Sequence, residues 1–206
     1  FKSTPNQPKS TIRIGDDGVC DACLAHEQKQ IEVDWESREE ELRRLAEEAP
    51  VVGGYNCVVP GSGGKDSAFT AHILKYKYGF KPLTVTWAPH LYTSIGFENF
   101  TNWSHVGGFD NILFTPNGQL HRELTRRAFM NLAHPFQPFI VGQRIIGPKI
   151  ASQFGLNLVF YGENQAEYGN PVKENLSARM HPEFYESDVS DPVLGGDRIS
   201  RIIGET

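Results

Sequence analysis

Three features are scarce in this sequence, and each scarcity excludes a class of protein. Only three cysteines, Cys20, Cys23 and Cys57, occur in 206 residues, too few for a disulfide framework. No apolar run approaches the ~18 residues that a membrane-spanning helix needs. A signal peptide has a charged segment followed by an apolar one, and no such pattern is visible in this sequence. We therefore expect a cytoplasmic protein with reduced thiols and no membrane partner.

Basic charge is also scarce. Lys and Arg together number 20 against 25 Asp and Glu, which gives a formal net charge of −5. The densest basic group, Arg122, Arg126 and Arg127, is typical of a solvated helix face. Because proteins that bind nucleic acids usually present a basic face, we expect no nucleic-acid partner.

The rest of the chain alternates between apolar strand patterns and helical patterns. Strands are predicted at residues 55–60, 82–87, 112–114 and 158–161. Helices are predicted at residues 34–49, 67–78, 119–132 and 140–154, with a kink or break expected at Pro148. This alternation predicts an α/β fold with a parallel sheet covered by helices on both faces.

Three segments are expected along the chain. Residues 1–33 are polar and turn-rich and contain the Cys-x-x-Cys pair, while residues 34–50 form a linker helix that Asp34 can cap. Residues 51–206 form the α/β domain, whose polar, proline-punctuated end after residue 170 predicts an incomplete edge.

The strongest local signal lies between the first predicted strand and the helix that follows it. Residues 60–67 read P-G-S-G-G-K-D-S. Small residues let successive backbone N–H groups converge on an anion, and the start of a helix adds its free N–H groups and positive dipole end. Lys65 adds a cation, and Ser62 and Ser67 add hydroxyl donors. The loop is therefore predicted to bind a pyrophosphate-sized group.

Two better-known phosphate motifs do not fit this loop. A Walker A loop requires Ser or Thr after Gly-Lys, whereas Asp66 follows Lys65, and Val59 stands where its first glycine belongs. The dinucleotide fingerprint requires a third glycine where Asp66 stands. We therefore expect neither a P-loop kinase or GTPase nor a nicotinamide enzyme.

The string S-G-G-K-D-S resembles the PP-loop signature of ATP pyrophosphatases, a superfamily with a Rossmann-like, adenine nucleotide alpha hydrolase-like fold. The resemblance implies cleavage of ATP between its α- and β-phosphates, with Mg²⁺ held by Asp66. It implies nucleotide contacts at the carboxyl ends of the strands, including Trp87, and along the loop at Gly61, Ser62, Gly63, Gly64, Lys65, Asp66 and Ser67.

Four further strings narrow the resemblance. They read T-V-T-W-A-P-H at 84–90, G-F-D at 108–110, G-E-N at 162–164 and E-Y-G at 167–169. With the Cys-x-x-Cys pair and the loop, they resemble the N-acetyl sugar amidotransferase family over nearly the whole chain. That family acts in bacterial surface-polysaccharide and lipopolysaccharide biosynthesis. It adenylylates the acetamido oxygen of a sugar, commonly nucleotide-linked, and lets ammonia displace AMP to give an acetamidino sugar.

The resemblance also implies partners and residue roles. The chain has no Cys-His arrangement for a glutaminase, so ammonia is expected from glutaminase and cyclase-like subunits. Catalysis is expected at Lys65, Asp66, Glu163 and Asn164, because the last two follow a strand end where open α/β sheets build their sites. Substrate contacts are expected at His90, Asn102, Asp110, Glu167 and Tyr168, with local hydrogen bonding or a capped turn as the alternative.

Several alternatives stay open at this stage. Cys20 and Cys23 make half of a tetrahedral Zn²⁺ site, which needs a further ligand pair, and a redox pair or two free thiols are the other interpretations. Cys57 is expected in the core. The other functional hypotheses are a tRNA-modifying PP-loop enzyme of the thiolase type, which needs a reactive cysteine and a basic surface, and a non-catalytic nucleotide-binding subunit.

Overall fold

The computed structural model describes residues 14–163, 177, 179 and 193–204. The chain divides by its contacts into two units. The described residues of one unit are 14–42, 177 and 179, and those of the other are 43–163 and 193–204. The division falls inside the helix that the sequence analysis assigned to a linker.

The first described residues of the unit that contains residues 14–42 form a turn, which an antiparallel bridge between Ile14 and Cys20 stabilises. Helix α1, Asp21–Glu32, starts directly after Cys20 and was not predicted. Helix α2, Trp35–Glu48, was predicted within one residue at either end. The Asp34 carboxylate accepts a hydrogen bond from the backbone N–H of Ser37 at 3.0 Å, which confirms Asp34 as its cap.

The second unit contains a parallel sheet of three strands, β1 (Cys57–Pro60), β2 (Pro82–Trp87) and β3 (Asn111–Phe114), in that spatial order. Residues 158–160 lie on the other side of β1. There the Val58 N–H donates to the carbonyl of Leu158, and the Phe160 N–H donates to the carbonyl of Val58, both at 2.9 Å. The predicted strand at 158–161 is thus a single parallel bridge between Val58 and Val159.

The order in which the chain adds strands to this sheet reverses once. It moves from β1 to β2 to β3 and then returns to the far side of β1. Because such crossovers are almost always right-handed, we infer that the outgoing helices α3 (Lys65–Tyr76) and α4 (Ser94–His105) lie on one face and the returning helix α6 (Gln137–Phe154) on the other. Helix α5, Gly118–Leu132, precedes α6 and packs on it. The observed fold is mixed α/β with a parallel sheet and is compatible with a Rossmann-like architecture.

The core lies between the sheet and α6. Its buried members are Val58, Leu83, Val85, Ile146, Ile150, Ala151 and Leu156. Two glycines of α6 allow the helix to approach the sheet closely. A Cβ at Gly142 would lie 2.3 Å from the Trp87 ring, and one at Gly147 would lie 2.5 Å from Pro60.

Helix α6 continues through Pro148, so the expected split at this residue is not observed. A proline removes the hydrogen bond to the carbonyl four residues earlier, which here belongs to Arg144. The hydroxyl of Tyr161 donates to that carbonyl at 2.7 Å. The acceptor that Pro148 leaves is therefore satisfied from outside the helix, and the same bond fixes the end of the 158–160 segment against α6.

The last described residues form a hairpin, β4 (Val193–Leu194) and β5 (Asp197–Arg198), followed by α7 (Ile199–Gly204). The hairpin is joined to α5 by an ion pair of 2.9 Å between Arg127 and Asp197. Among the described residues no helix is long and apolar enough to cross a membrane.

Candidate functional site

The glycine-rich loop lies where β1 ends and α3 begins. The Gly61 N–H donates to the carbonyl of Val85 at 2.9 Å, which ties the loop to β2. Gly64 caps α3 in an extended conformation without a side-chain cap. The first helical bond is donated by Ala68 to the Gly64 carbonyl. The N–H groups of the first turn therefore have no partner within the helix, the condition under which a helix start binds an anion.

Two glycines of the loop cannot be replaced without movement of the backbone. A Cβ at Gly61 would lie 2.2 Å from the Ser67 Cβ and 3.1 Å from the Trp103 ring. Gly63 has a φ of +80°, and a Cβ there would lie 2.8 Å from the carbonyl oxygen of Asn99. The loop is thus pressed between the first turn of α3 and the side of α4.

The charged residues of the loop face outward. The Lys65 side chain is 90% exposed, and its Nζ lies 3.3 Å from the Asp66 carboxylate, which is 56% exposed. An exposed pair of this kind contributes little to stability. Lys65 and Asp66 are therefore available to a phosphate and to a cation without loss of a structural contact. Ser67 is buried, and its hydroxyl donates to the Gly64 carbonyl at 3.2 Å.

A second strand end meets the same helix start. A Cβ at Gly162 would lie 2.7 Å from the carbonyl of Asp66 and 2.9 Å from the Ser67 nitrogen. The turn after residues 158–160 is thus in contact with the first turn of α3. Partial burial raises the pKa of Glu163, and the Asp66 carboxylate raises this pKa further. The predicted site residues Glu163 and Asp66 are therefore brought together at the point where the strand order of the sheet reverses.

The exposed Asp66 carboxylate fits a divalent cation. Hard cations such as Mg²⁺ take oxygen ligands, usually one or two carboxylates together with phosphate oxygens. A cation on Asp66 would remove the smaller of the two causes that raise the pKa of Glu163, and the effect of burial would remain. The other residues predicted on this side, Asn164, Glu167 and Tyr168, lie outside the described residues.

An aromatic cluster lies at the end of β2. The Trp87 ring packs against Gly142 and lies 4.9 Å from the Phe114 ring. His90 stacks on His121 of α5, with ring centroids 4.6 Å apart and planes 19° apart. Trp87, predicted to contact the nucleotide, is held within packed side chains. His121 was not predicted as a site residue. The only signal for it was its place on the buried stripe of α5, which also holds Leu124 and Ala128.

Two predicted substrate residues lie elsewhere. Asn102 is exposed on α4, and its carbonyl accepts hydrogen bonds from the N–H groups of Val106 and Gly107 at the end of that helix. Asp110 immediately precedes β3, and its carboxylate accepts a hydrogen bond from the hydroxyl of Tyr55 at 2.8 Å. Because the strands are parallel, the amino end of β3 lies at the edge of the sheet opposite to the loop. The structure does not bring Asp110 to the loop.

The cysteine pair belongs to the first unit. The sulfurs of Cys20 and Cys23 lie 3.5 Å apart, which is a hydrogen-bonding distance, and they form no disulfide. The hydrogen bond with Cys20 and repulsion from its thiolate form raise the pKa of Cys23. Within the described parts of the chain, no group of three or more possible metal ligands occurs. These residues therefore supply two ligands and no closed Zn²⁺ site.

Neither a scan against protein-family models nor a search of curated proteins gave a match to this chain.

Proposed function

We propose that this protein is a PP-loop ATP pyrophosphatase that acts as an N-acetyl sugar amidotransferase. One observation carries the proposal. The glycine-rich loop meets the uncapped start of α3 and the turn at Gly162. They meet at the point where the strand order of the parallel sheet reverses. Open α/β sheets bind their ligands at such a point. The choice of family rests on the sequence resemblance.

The loop side of the site would hold ATP. The backbone N–H groups of residues 62–67 would surround the β- and γ-phosphates, and Lys65 would neutralise charge that develops on the departing pyrophosphate. Mg²⁺, held by Asp66, would supply further neutralisation of that charge. The close contact of Gly61 with Ser67 keeps the loop compact before the nucleotide arrives.

The other side of the site, which contains Glu163, would hold the acceptor, an acetamido sugar. A nucleotide-linked sugar is the best choice for an assay. The acetamido oxygen attacks the α-phosphorus, and pyrophosphate leaves. Ammonia then attacks the imidate carbon, and AMP leaves with the former acetamido oxygen. Glu163 is placed to accept the proton that ammonia gives up, because its raised pKa makes it a better base than an ordinary carboxylate. Glutaminase and cyclase-like subunits are the proposed ammonia source.

The test is mass spectrometry of UDP-linked acetamido sugars after incubation with the protein, ATP, Mg²⁺ and an ammonium salt. We expect AMP, pyrophosphate and a product in which NH replaces oxygen, a small loss of mass. Glutamine alone should not replace ammonium. ATP cleavage without a sugar product would overturn the proposal.

The same experiment separates the alternatives. A tRNA-thiolating enzyme would add mass to RNA and leave the sugar unchanged. Cys57, the cysteine that precedes the loop, does not suit the reactive cysteine of such an enzyme, because it is buried in β1 and burial raises its pKa to about 12. A non-catalytic subunit would bind ATP and release no pyrophosphate.

A further inference from the structure

The aromatic cluster at the end of β2 contains two polar atoms that the packing does not explain. Trp87 Nε1 and His121 Nε2 are both buried, and neither has a hydrogen-bond partner in the described part of the chain. The rings of these residues are neighbours, with centroids 6.1 Å apart and planes 74° apart. Most buried polar groups of folded proteins are paired, so two unpaired ones in a single cluster point to a ligand.

The surroundings define the chemistry of that ligand. The rings of Phe114, Phe136 and Phe139 line the cluster, the first beside Trp87 and the other two beside His90. An indole N–H only donates a hydrogen bond, whereas a neutral imidazole nitrogen can accept one. A fitting group is therefore small, partly apolar, and carries both an acceptor and a donor. A secondary amide with a methyl group has these properties.

His121 is suited to accept a proton from such a group. It is 9% exposed, and no ion pair in the described residues involves it or His90. Burial lowers the pKa of His121, and charge repulsion from His90 lowers it further. Both effects favour the neutral imidazole, whose unprotonated nitrogen can accept a proton. The exposed ring of His90 stacks on His121, so a ligand would reach His121 by displacing that ring.

Resting on the proposed function, we infer that the Trp87–His121 cluster is the subsite for the acetamido group and that His121 is the base of the adenylylation step. The oxygen of the acetamido group accepts a hydrogen bond from Trp87 Nε1. The N–H of the same acetamido group faces His121 Nε2. The methyl group packs among the phenylalanine rings.

The proton has to leave in this step. As the acetamido oxygen forms its bond to the α-phosphorus, the bond from phosphorus to pyrophosphate breaks and pyrophosphate takes the electron pair. The electron pair of the amide N–H bond becomes the C=N bond of the O-adenylyl imidate. The proton moves to His121 Nε2, which becomes an imidazolium. Glu163 acts in the later step, on the proton of ammonia.

The experiment compares four forms of the full chain: unmodified, His121→Phe, Trp87→Phe and Trp103→Phe. His121→Phe keeps an aromatic ring and removes the base, so amidine formation should fall by about 10²–10⁴-fold with ATP affinity retained. Trp87→Phe removes one hydrogen bond to the acceptor and should raise KM for the sugar about tenfold.

Trp103→Phe is the matched control. Trp103 also has a buried, unpartnered Nε1, but its ring lies against Gly61 of the loop. Any effect of this change should fall on ATP affinity and not on KM for the sugar. Thermal melts check that each variant is folded, and His121→Asn replaces His121→Phe if the larger ring is not accommodated.

The outcomes separate the two proposals. If the unmodified protein makes no amidine from any acetamido sugar tested, the proposed function fails, and this inference fails with it. If it makes amidine and the His121 variants do so at the same rate, only this inference fails. Equal losses of ATP affinity and product formation in the His121 and Trp87 variants would assign the cluster to the nucleotide and would also overturn it.

Discussion

Two strand ends at the same edge of the sheet are built in opposite ways. The turn after β1 consists of glycines and exposed polar residues, whereas the turn after β2 starts with Trp87 and leads to the stacked His90. Both strands are parallel neighbours, and the Gly61 N–H even donates to the carbonyl of Val85 in β2. The position in the sheet is therefore shared, and the side chains decide what each end can bind.

The contrast has a simple physical origin. Glycines leave backbone N–H groups uncovered, and those groups favour an anion. Aromatic side chains cover the backbone instead and offer flat apolar surfaces with single polar atoms at their edges. One edge of the sheet thus provides a polar half with uncovered backbone N–H groups and an apolar half with single hydrogen-bonding atoms. A reaction between a nucleotide and an uncharged amide needs both.

At the loop, the largest effect is expected for Lys65. Under the proposed function, Lys65→Ala removes the cation that would face the departing pyrophosphate, and loss of one such contact typically costs ~10²–10³ in rate. Pyrophosphate release under saturating ATP and sugar measures the effect. Lys81→Ala, which removes an exposed lysine at the amino end of β2, is the control and should leave the rate unchanged. Equal rates in the two variants would show that the loop does not carry the phosphate chemistry.

The next effect concerns the close packing of the loop. Gly61→Ala places a Cβ 2.2 Å from the Ser67 Cβ, so the backbone has to move. Overpacking of this kind costs about 1–3 kcal/mol, and ATP affinity should fall along with the melting temperature. In Gly64→Ala the nearest atom, Ser62 Oγ, is 3.6 Å away, so both losses should be smaller. A larger loss in Gly64→Ala would contradict the described loop geometry.

The sequence predicted those parts of the fold that local patterns determine. The bounds of β2 were predicted as observed, and the loop was placed correctly between β1 and α3. A continuous buried strand, a run of glycines and a helix start each carry their own local signal. The contact of Gly162 with Asp66 follows from topology, because parallel strands deliver their carboxyl ends to one edge.

Features that depend on distant contacts were missed. Helix α4 shows no apolar stripe, because Ile95 and Phe97 are exposed and Trp103 is its buried residue. Its start signal was local but weak: the Thr93 hydroxyl accepts a hydrogen bond from the Gly96 N–H at 2.9 Å. The role of Asp110 could not be foreseen either, since its partner Tyr55 lies 55 residues earlier in the chain.

A smaller effect, and one that depends on pH, concerns Glu163. The raised pKa means that Glu163 becomes a base only as the pH rises through a value above the usual ~4.3 for glutamate. Amidine formation by the unmodified protein should therefore increase across that range, and Glu163→Gln should lose this limb together with most of its activity. ATP binding should be less affected. A pH profile that is unchanged in the variant would exclude Glu163 as the base.

The same shift predicts the direction of a stability effect. A carboxyl group with a raised pKa in the folded state disfavours folding once it is charged. The cost is absent below about pH 4.3, the usual value, and grows as the pH rises through the raised pKa. Glu163→Gln should therefore be at least as stable as the unmodified protein at pH 7, as measured by urea unfolding. A marked loss of stability would mean that Glu163 makes a structural contact.

The last prediction involves no change in sequence or activity. It concerns the rate at which Cys57 in β1 reacts with a thiol reagent, which reports how often β1 opens. Cys57 is fully buried at the start of β1, and burial raises its pKa to about 12, whereas Cys23 is exposed. Thiol reagents attack the thiolate, so Cys57 should react only when β1 opens, and Cys20 and Cys23 should react in the folded protein.

If the loop binds ATP, the nucleotide stabilises the closed state by RT ln(1 + [L]/Kd), and ATP at about 100 times Kd should slow Cys57 labelling ~100-fold. Labelling of Cys23 serves as the internal control and should not change with ATP. Slow labelling of Cys57 that ATP does not affect would place the nucleotide away from β1, and the comparison between the two strand ends would then have to be abandoned.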